Sequence, residues 1–221
     1  MNILLYAWSW TVRLFARLPF LEALLPFGLL VVLWQAVIHA QWFPQAFLPG
    51  PWDVVQAFGR LTYRGVLPDY LQDSLLRLAA GAAVGIAVGI PLGVWVGQSD
   101  RARQVLWPVL LFFQAIGDIA WLPILLIWFG FSLTTMTVVI VYTVIFPIVF
   151  NTVLGVRSIP TDLHRAALSL GASRAQVIWQ VVLPGALPNI MTGLRNGLGY
   201  GWRALIATEI IVGTSGIGLA T

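Results

Sequence analysis

No charged residue stands between Arg77 and Asp100, and none between Asp118 and Arg157. A bilayer core about 30 Å thick needs roughly 20 consecutive apolar residues in a helix. The first interval fits one crossing, and the second is too long for one and requires a turn. Only 9% of the 221 residues are charged and 59% are hydrophobic, whereas a soluble domain carries roughly a quarter charged. So few charges cannot cover a water-facing surface. An ordinary soluble enzyme is excluded, and the chain reads as an all-α integral membrane protein.

About five spans are expected. The first runs from Ala23 to His39 and the second occupies the charge-free run after Arg77. There Gly81, Gly85 and Gly89 recur every fourth position on one helix face, a spacing that lets another helix approach closely. The third span, about Val105 to Trp128, is interrupted at Gly117-Asp118. Phe129 to Thr135 reads as a turn, a fourth span continues to about Val156, and a fifth runs from Leu187 to Val212. Residues 1–20 carry Trp8, Trp10, Arg13 and Arg17 and suit an interfacial helix, leaving 21–221 as the transmembrane domain. Trp52 to Tyr63 has an amphipathic pattern.

All twelve basic residues are arginine, cysteine is absent, and the two histidines, His39 and His164, lie far apart. No metal site is expected, nor thiol chemistry. The arginines are scattered between apolar runs, so the charge is a topology signal and no nucleic-acid partner is expected. Placing the N-terminus in the cytoplasm puts Arg13, Arg17, Arg101, Arg103, Arg157, Arg165 and Arg174 inside. Arg60, Arg64 and Arg77 then fall outside or at the outer interface, which satisfies the positive-inside rule.

Residues 158–184 form the longest polar segment after the fourth span. Thr161 or Asp162 is placed to cap a helix after Pro160. Leu163, Ala166, Ala167 and Leu170 fall at i, i+3, i+4 and i+7, a narrow apolar face. Gly171 suits the left-handed position that ends a helix. Ser173 and Gln176 form a capping-box pair opening a second short helix, which Pro184 is expected to terminate. Such a helix–turn–helix either docks a partner or lies on the protein's own spans. Asp118, Asn151, Arg203 and Glu209 lie within spans, where an ionisable group needs a partner or a water-filled path.

Ala166-Ala167, three residues, Gly171, nine residues, Val181, one residue and Leu183-Pro184 resemble the EAA loop of ABC-importer permeases. LPILLIWFG from Leu122, FPIVFNTVLGVRSIP from Phe146 and LPGALPNIMTGLRNGLGYGW from Leu183 resemble the nitrate, sulfonate, taurine and bicarbonate subfamily, and the loop is similar to taurine-type permeases. The resemblance covers about Leu48 to Thr221. It implies a type I ABC-importer transmembrane bundle, formed as a permease homodimer in a bacterial inner membrane. A partner ATPase subunit would hold ATP and Mg, and this chain no cofactor, because a Walker A loop requires a lysine. A periplasmic or lipid-anchored solute-binding protein would deliver the substrate. The coupling residues would be Leu163, Arg165, Ala166, Ala167, Leu170, Gly171, Ala172, Leu183 and Pro184.

Two features depart from the pattern. Arg165 stands where the motif has glutamate, and family members carry a further span after a GLG-like segment, whereas Gly216-Ile217-Gly218 is followed almost at once by Thr221. A sixth span is therefore expected to be missing. Asp118 and Arg203 stand where the family has uncharged residues, and as two opposite charges they are expected to pair with each other. Alternatively, Arg203 attracts an anionic substrate. Glu209 matches an acidic family position and either bonds another helix or lines the path. The competing class is a secondary transporter or channel not coupled to ATP, which would leave the 158–184 segment without a role and should show inverted repeats.

Overall fold

The computed structural model describes residues 19–40 and 48–212, with side chains from Leu25 onward. The expected interfacial segment at 1–18 and the Gly216–Gly218 stretch lie outside the described residues. Two compact units divide near Val66.

The first unit holds α1 (Pro19–His39) and α2 (Pro51–Tyr63). Helix α1 covers the first expected span. At the start of α2, the Asp53 carboxylate accepts a hydrogen bond from the Gly50 amide at 3.0 Å, satisfying one orphan donor of the first turn. The expected helix from Trp52 to Tyr63 is therefore present.

The second unit is the bundle. Its helices are α3 (Val66–Gln98), α4 (Asp100–Ala115), α5 (Leu122–Phe129), α6 (Leu133–Ser158), α7 (Thr161–Ser169), α8 (Arg174–Val177) and α9 (Leu183–Val212). Helix α3, helix α6 and the continuous run Arg174–Val212 are each long and apolar enough to cross a membrane. Helix α4 and the Asp118–Phe129 segment make a fourth crossing only as a pair bent by 84°. The third expected span is thus a broken one. Its break falls at Gly117-Asp118, where a 3₁₀ turn over Asp118–Trp121 joins the two halves. Val109, Phe112, Ile127, Trp128 and Leu154 stay exposed within the chain, as lipid-facing side chains of a multi-pass membrane protein do.

Helix α6 is the centre of the bundle because glycines on both neighbours let it approach. On α3 the stripe continues past Gly89 to Gly93 and Gly97. Its members meet Ile140, Val144, Ile148, Thr152 and Val156 in turn, so α3 and α6 run parallel in constant register. On the other side, Gly193, Gly197 and Gly201 of α9 meet α6 near Asn151, Val144 and Ile140, so α9 runs antiparallel to it. Within lipid, helices gain little from hydrophobic burial and associate through close van der Waals packing. Branched side chains fitted against bare backbone supply that packing.

The start of α4 and the end of α6 are joined by a surface ion pair, Arg157 to Asp100 at 3.0 Å, with side chains 38% and 79% exposed. Such a pair is worth under about 1 kcal/mol. Arg157→Ala is expected to leave the thermal midpoint of the purified protein within a few degrees of the parent, read by fluorescence-monitored melting.

Candidate functional site

Segment 158–184 folds as a hook. Helix α7 ends in a Schellman arrangement: the Ala172 amide donates to the Ala167 carbonyl at 3.1 Å and the Gly171 amide to the Leu168 carbonyl at 3.0 Å. Gly171 sits at φ +90°, a left-handed backbone that glycine adopts without a Cβ penalty. Ser173 and Gln176 make the expected capping box. The Ser173 Oγ accepts from the Gln176 amide at 3.3 Å, and the Gln176 Oε1 accepts from the Ser173 amide at 2.7 Å.

Three details differ from the sequence expectations. Neither Thr161 nor Asp162 caps α7; Pro160 occupies that position without a side-chain bond, and its carbonyl accepts from the Leu163 amide at 3.1 Å. Pro184 does not terminate the second helix. A π-turn over Ile178–Val182 carries α8 directly into α9, so Leu183 and Pro184 lie at the start of the long helix. Proline removes a donor and crowds the carbonyl four residues back, and the wider turn just before it gives the chain a way through. Finally, the four-residue apolar face splits. Leu163, Ala166 and Leu170 are exposed, Leu170 at 88%, as are Arg165 and Gly171. Ala167 and Ala172 instead turn inward.

Ala167 and Ala172 join a buried base made by Val94, Val156, Val177, Val182, Ala186 and Ile190. The hook is therefore anchored on the ends of α3 and α6 while presenting its outer face. A cleft of about 550 Å³ lies beneath it, lined among others by Arg157, His164, Arg165 and Arg174.

The intramembrane polar residues separate into three places. Glu209 is completely buried, accepting hydrogen bonds from Ser74 Oγ at 2.7 Å and from Arg77 Nη1 at 2.9 Å. Arg77 is itself only 11% exposed and also faces Asp73 at 3.6 Å. Its side chain lies in the interior of the bundle, because α3 begins a dozen residues before the apolar run and its polar start packs on α9. The Asn151 Nδ2 donates back to the Pro147 carbonyl at 2.8 Å, and its Cβ lies against Gly193. Asn151 is thus part of the α6–α9 contact.

Asp118 and Arg203 come together, though not as the expected ion pair. Both line a cavity of about 410 Å³, with Thr143, Tyr142 and Tyr200. Asp118 Oδ2 lies 2.9 Å from Thr143 Oγ1, which also reaches the Val139 carbonyl at 2.8 Å. Asp118 Oδ1 accepts from the Ile119 amide at 3.0 Å. The Arg203 guanidinium sits 5.7 Å from the Tyr200 ring centroid. Local bonds at the helix break engage the carboxylate, and the guanidinium lies beside an aromatic ring, so each has a local partner of its own. The Tyr142 hydroxyl bonds the Phe113 and Ile116 carbonyls, closing the open end of α4.

No group of three or more potential metal ligands occurs among the described residues.

Residues 89–221 match the family model described as binding-protein-dependent transport system inner membrane component. The taurine transport system permease protein TauC of Escherichia coli (strain K12) is 38% identical over 198 residues, covering 86% of this chain and 71% of that protein. The putative aliphatic sulfonates transport permease protein SsuC of Bacillus subtilis (strain 168) is 32% identical over 202 residues, covering 91% and 73%. The nitrate import permease protein NrtB of Synechocystis sp. (strain ATCC 27184 / PCC 6803 / Kazusa) is 32% identical over 204 residues, covering 86% and 72%. With the broken span, α6, the anchored hook and α9 all inside the matched region, the chain belongs to the family of binding-protein-dependent transport system inner membrane components, the ABC transporter permeases.

Proposed function

We propose that this chain is the permease subunit of an ATP-driven importer, whose hook couples a separate ATPase to the opening and closing of the bundle. The observation that carries the reading is the two-sided build of the hook. Its inner side is locked into the bundle base by Ala167, Ala172 and Val177, and its outer side presents Leu163, Arg165, Ala166, Leu170 and Gly171. A rigid element fixed at one face and bare at the other can transmit a push as a body. ATP and Mg belong to the partner subunit, since this chain has no lysine for a phosphate-binding loop. Chemistry at the nucleotide is the partner's, and this chain is not itself the enzyme.

On this reading the protein sits in a bacterial inner membrane as a homodimer, with the N-terminus and the hook in the cytoplasm. A solute-binding protein outside the membrane delivers a small anion or organic solute of the sulfonate, taurine, nitrate or bicarbonate kind, the classes named for its relatives.

The hook can be tested without disturbing the bundle. A Cβ at Gly171 would meet no atom within 4 Å, so Gly171→Val acts through its left-handed backbone alone, at about 1–2 kcal/mol. The variant is expected to insert and purify at parental yield, to lose most of its co-purifying ATPase subunit, and to lose uptake at least tenfold. Uptake is read in vesicles loaded with ATP and supplied with the binding protein outside. Uptake that continues without internal ATP would instead identify a transporter that is not ATP-coupled.

A further inference from the structure

We infer that the cavity between the broken span and α9 is a binding site for a small zwitterion, with Asp118 receiving a cationic amino group and Arg203 an anionic sulfonate or carboxylate. The inference rests on the permease reading and names the substrate class of that path.

The first observation is the break. Backbone leaves the helix at Ile116 and Gly117, between two apolar halves bent by 84°. Irregular backbone at membrane depth is tolerated only where it is buried in protein or lines a water-filled cavity, and discontinuous spans are where transported solutes are held. Here the break lines the cavity. Along α6, Thr143 lies thirteen residues before Val156 at the hook's base, which corresponds to roughly 20 Å of helix, so the cavity lies deep along an apolar, span-length helix and far from the hook.

The second observation is the pair of charges. A carboxylate and a guanidinium line the same wall-to-wall space, yet no ion pair joins them among the described residues, whose salt bridges involve other groups. Each has its own local partner, Thr143 and the Ile119 amide for Asp118, the Tyr200 ring for Arg203. A carboxylate with one hydrogen bond on each oxygen keeps acceptor capacity, and a guanidinium offers five donors in a fork that matches sulfonate or carboxylate oxygens. Two opposite charges that face one space without touching are complementary to a ligand carrying both. An inorganic anion would satisfy Arg203 and be repelled by Asp118. The volume of about 410 Å³ falls within the range of small-molecule sites, and the Tyr142 and Tyr200 rings flank the space where a short alkyl linker would lie.

The test uses the purified full-length permease in nanodiscs, without ATPase or binding protein, so its result is independent of ATP coupling. Equilibrium binding is measured for 2-aminoethanesulfonate, which carries both charges, and for 2-hydroxyethanesulfonate, which carries only the anion. The wild type is expected to bind the zwitterion at least tenfold more tightly. Asp118→Asn keeps the hydrogen bonds to Thr143 and Ile119 and should abolish that preference, bringing the zwitterion to the level of the anion or below. Arg203→Gln should weaken both ligands tenfold or more. The doubly exchanged variant, Asp118→Arg with Arg203→Asp, should recover part of the preference. Equal affinity of the wild type for both ligands, a preference untouched by Asp118→Asn, or no binding of either ligand would each overturn the site. Those outcomes would leave the ATP-coupled reading to stand or fall on the Gly171 variant.

Discussion

Glu209→Ala is expected to destabilise the bundle by about 3–5 kcal/mol, the cost of breaking a buried ion pair by removing one partner. The carboxylate is fully buried and bonded to Arg77 and Ser74 on a different helix. Without it, the guanidinium loses the buried carboxylate at 2.9 Å, while Asp73 lies farther off at 3.6 Å with a half-exposed side chain. Thermal or denaturant unfolding in detergent should show the loss directly. The pair itself adds much less than that figure, because desolvating two ions offsets most of their attraction. The double variant Glu209→Leu with Arg77→Leu is therefore expected to regain most of the stability. If the double variant unfolds as early as Glu209→Ala alone, the Arg77 charge is not what makes the single change costly.

Gly93→Val should be nearly as damaging, for a steric reason. A Cβ at this position would stand 2.6 Å from the Thr152 Cβ and 3.0 Å from the Val149 carbonyl oxygen. One of these neighbours is backbone and the other a branched carbon close to it, so relief requires the helices to separate. Overpacking of this kind costs about 1–3 kcal/mol, with the upper end expected because α3 and α6 are pushed apart along their whole stripe. Even Gly93→Ala should destabilise, although alanine gains up to about 1 kcal/mol of helix propensity over glycine. Gly199 supplies the control, since its Cβ would meet nothing within 4 Å. Gly199→Ala should be neutral or stabilising. Melting temperatures of the three variants in one detergent decide the matter, and destabilisation by Gly199→Ala equal to that by Gly93→Ala would refute the close-packing account.

The spans, the break at Gly117-Asp118 and the hook's internal turns were legible in the sequence for local reasons. Long apolar runs have few places to go but a bilayer. A glycine before an acidic residue inside such a run marks irregular backbone, and the Ser173–Gln176 cap and the left-handed Gly171 are decided within six residues of chain. The Gly81–Gly89 stripe was also visible, though its continuation to Gly97 and its counterpart on α9 were not. Helix spacing marks a face without naming what lies against it.

Pairing of distant side chains lay beyond that reach. Asp118 and Arg203 are opposite charges at positions where the family has uncharged residues, so a direct ion pair was a reasonable expectation. Asp118 bonds Thr143 instead, and Arg203 lies beside Tyr200. Arginine counting placed Arg77 outside or at the outer interface and named no partner for it, and the structure pairs it with Glu209 on the last described helix. Pro184 was expected to end a helix, and a π-turn carries the chain past it.

By itself the sequence determined that this chain crosses a membrane several times, where one span breaks and where a compact helix–turn–helix falls, because hydrophobic length, caps and turn chemistry act over a few residues. Only the tertiary structure decided which charges neutralise each other and which remain facing a cavity. That outcome depends on how closely α3, α6 and α9 approach through their glycines, and no stretch of any one helix carries it.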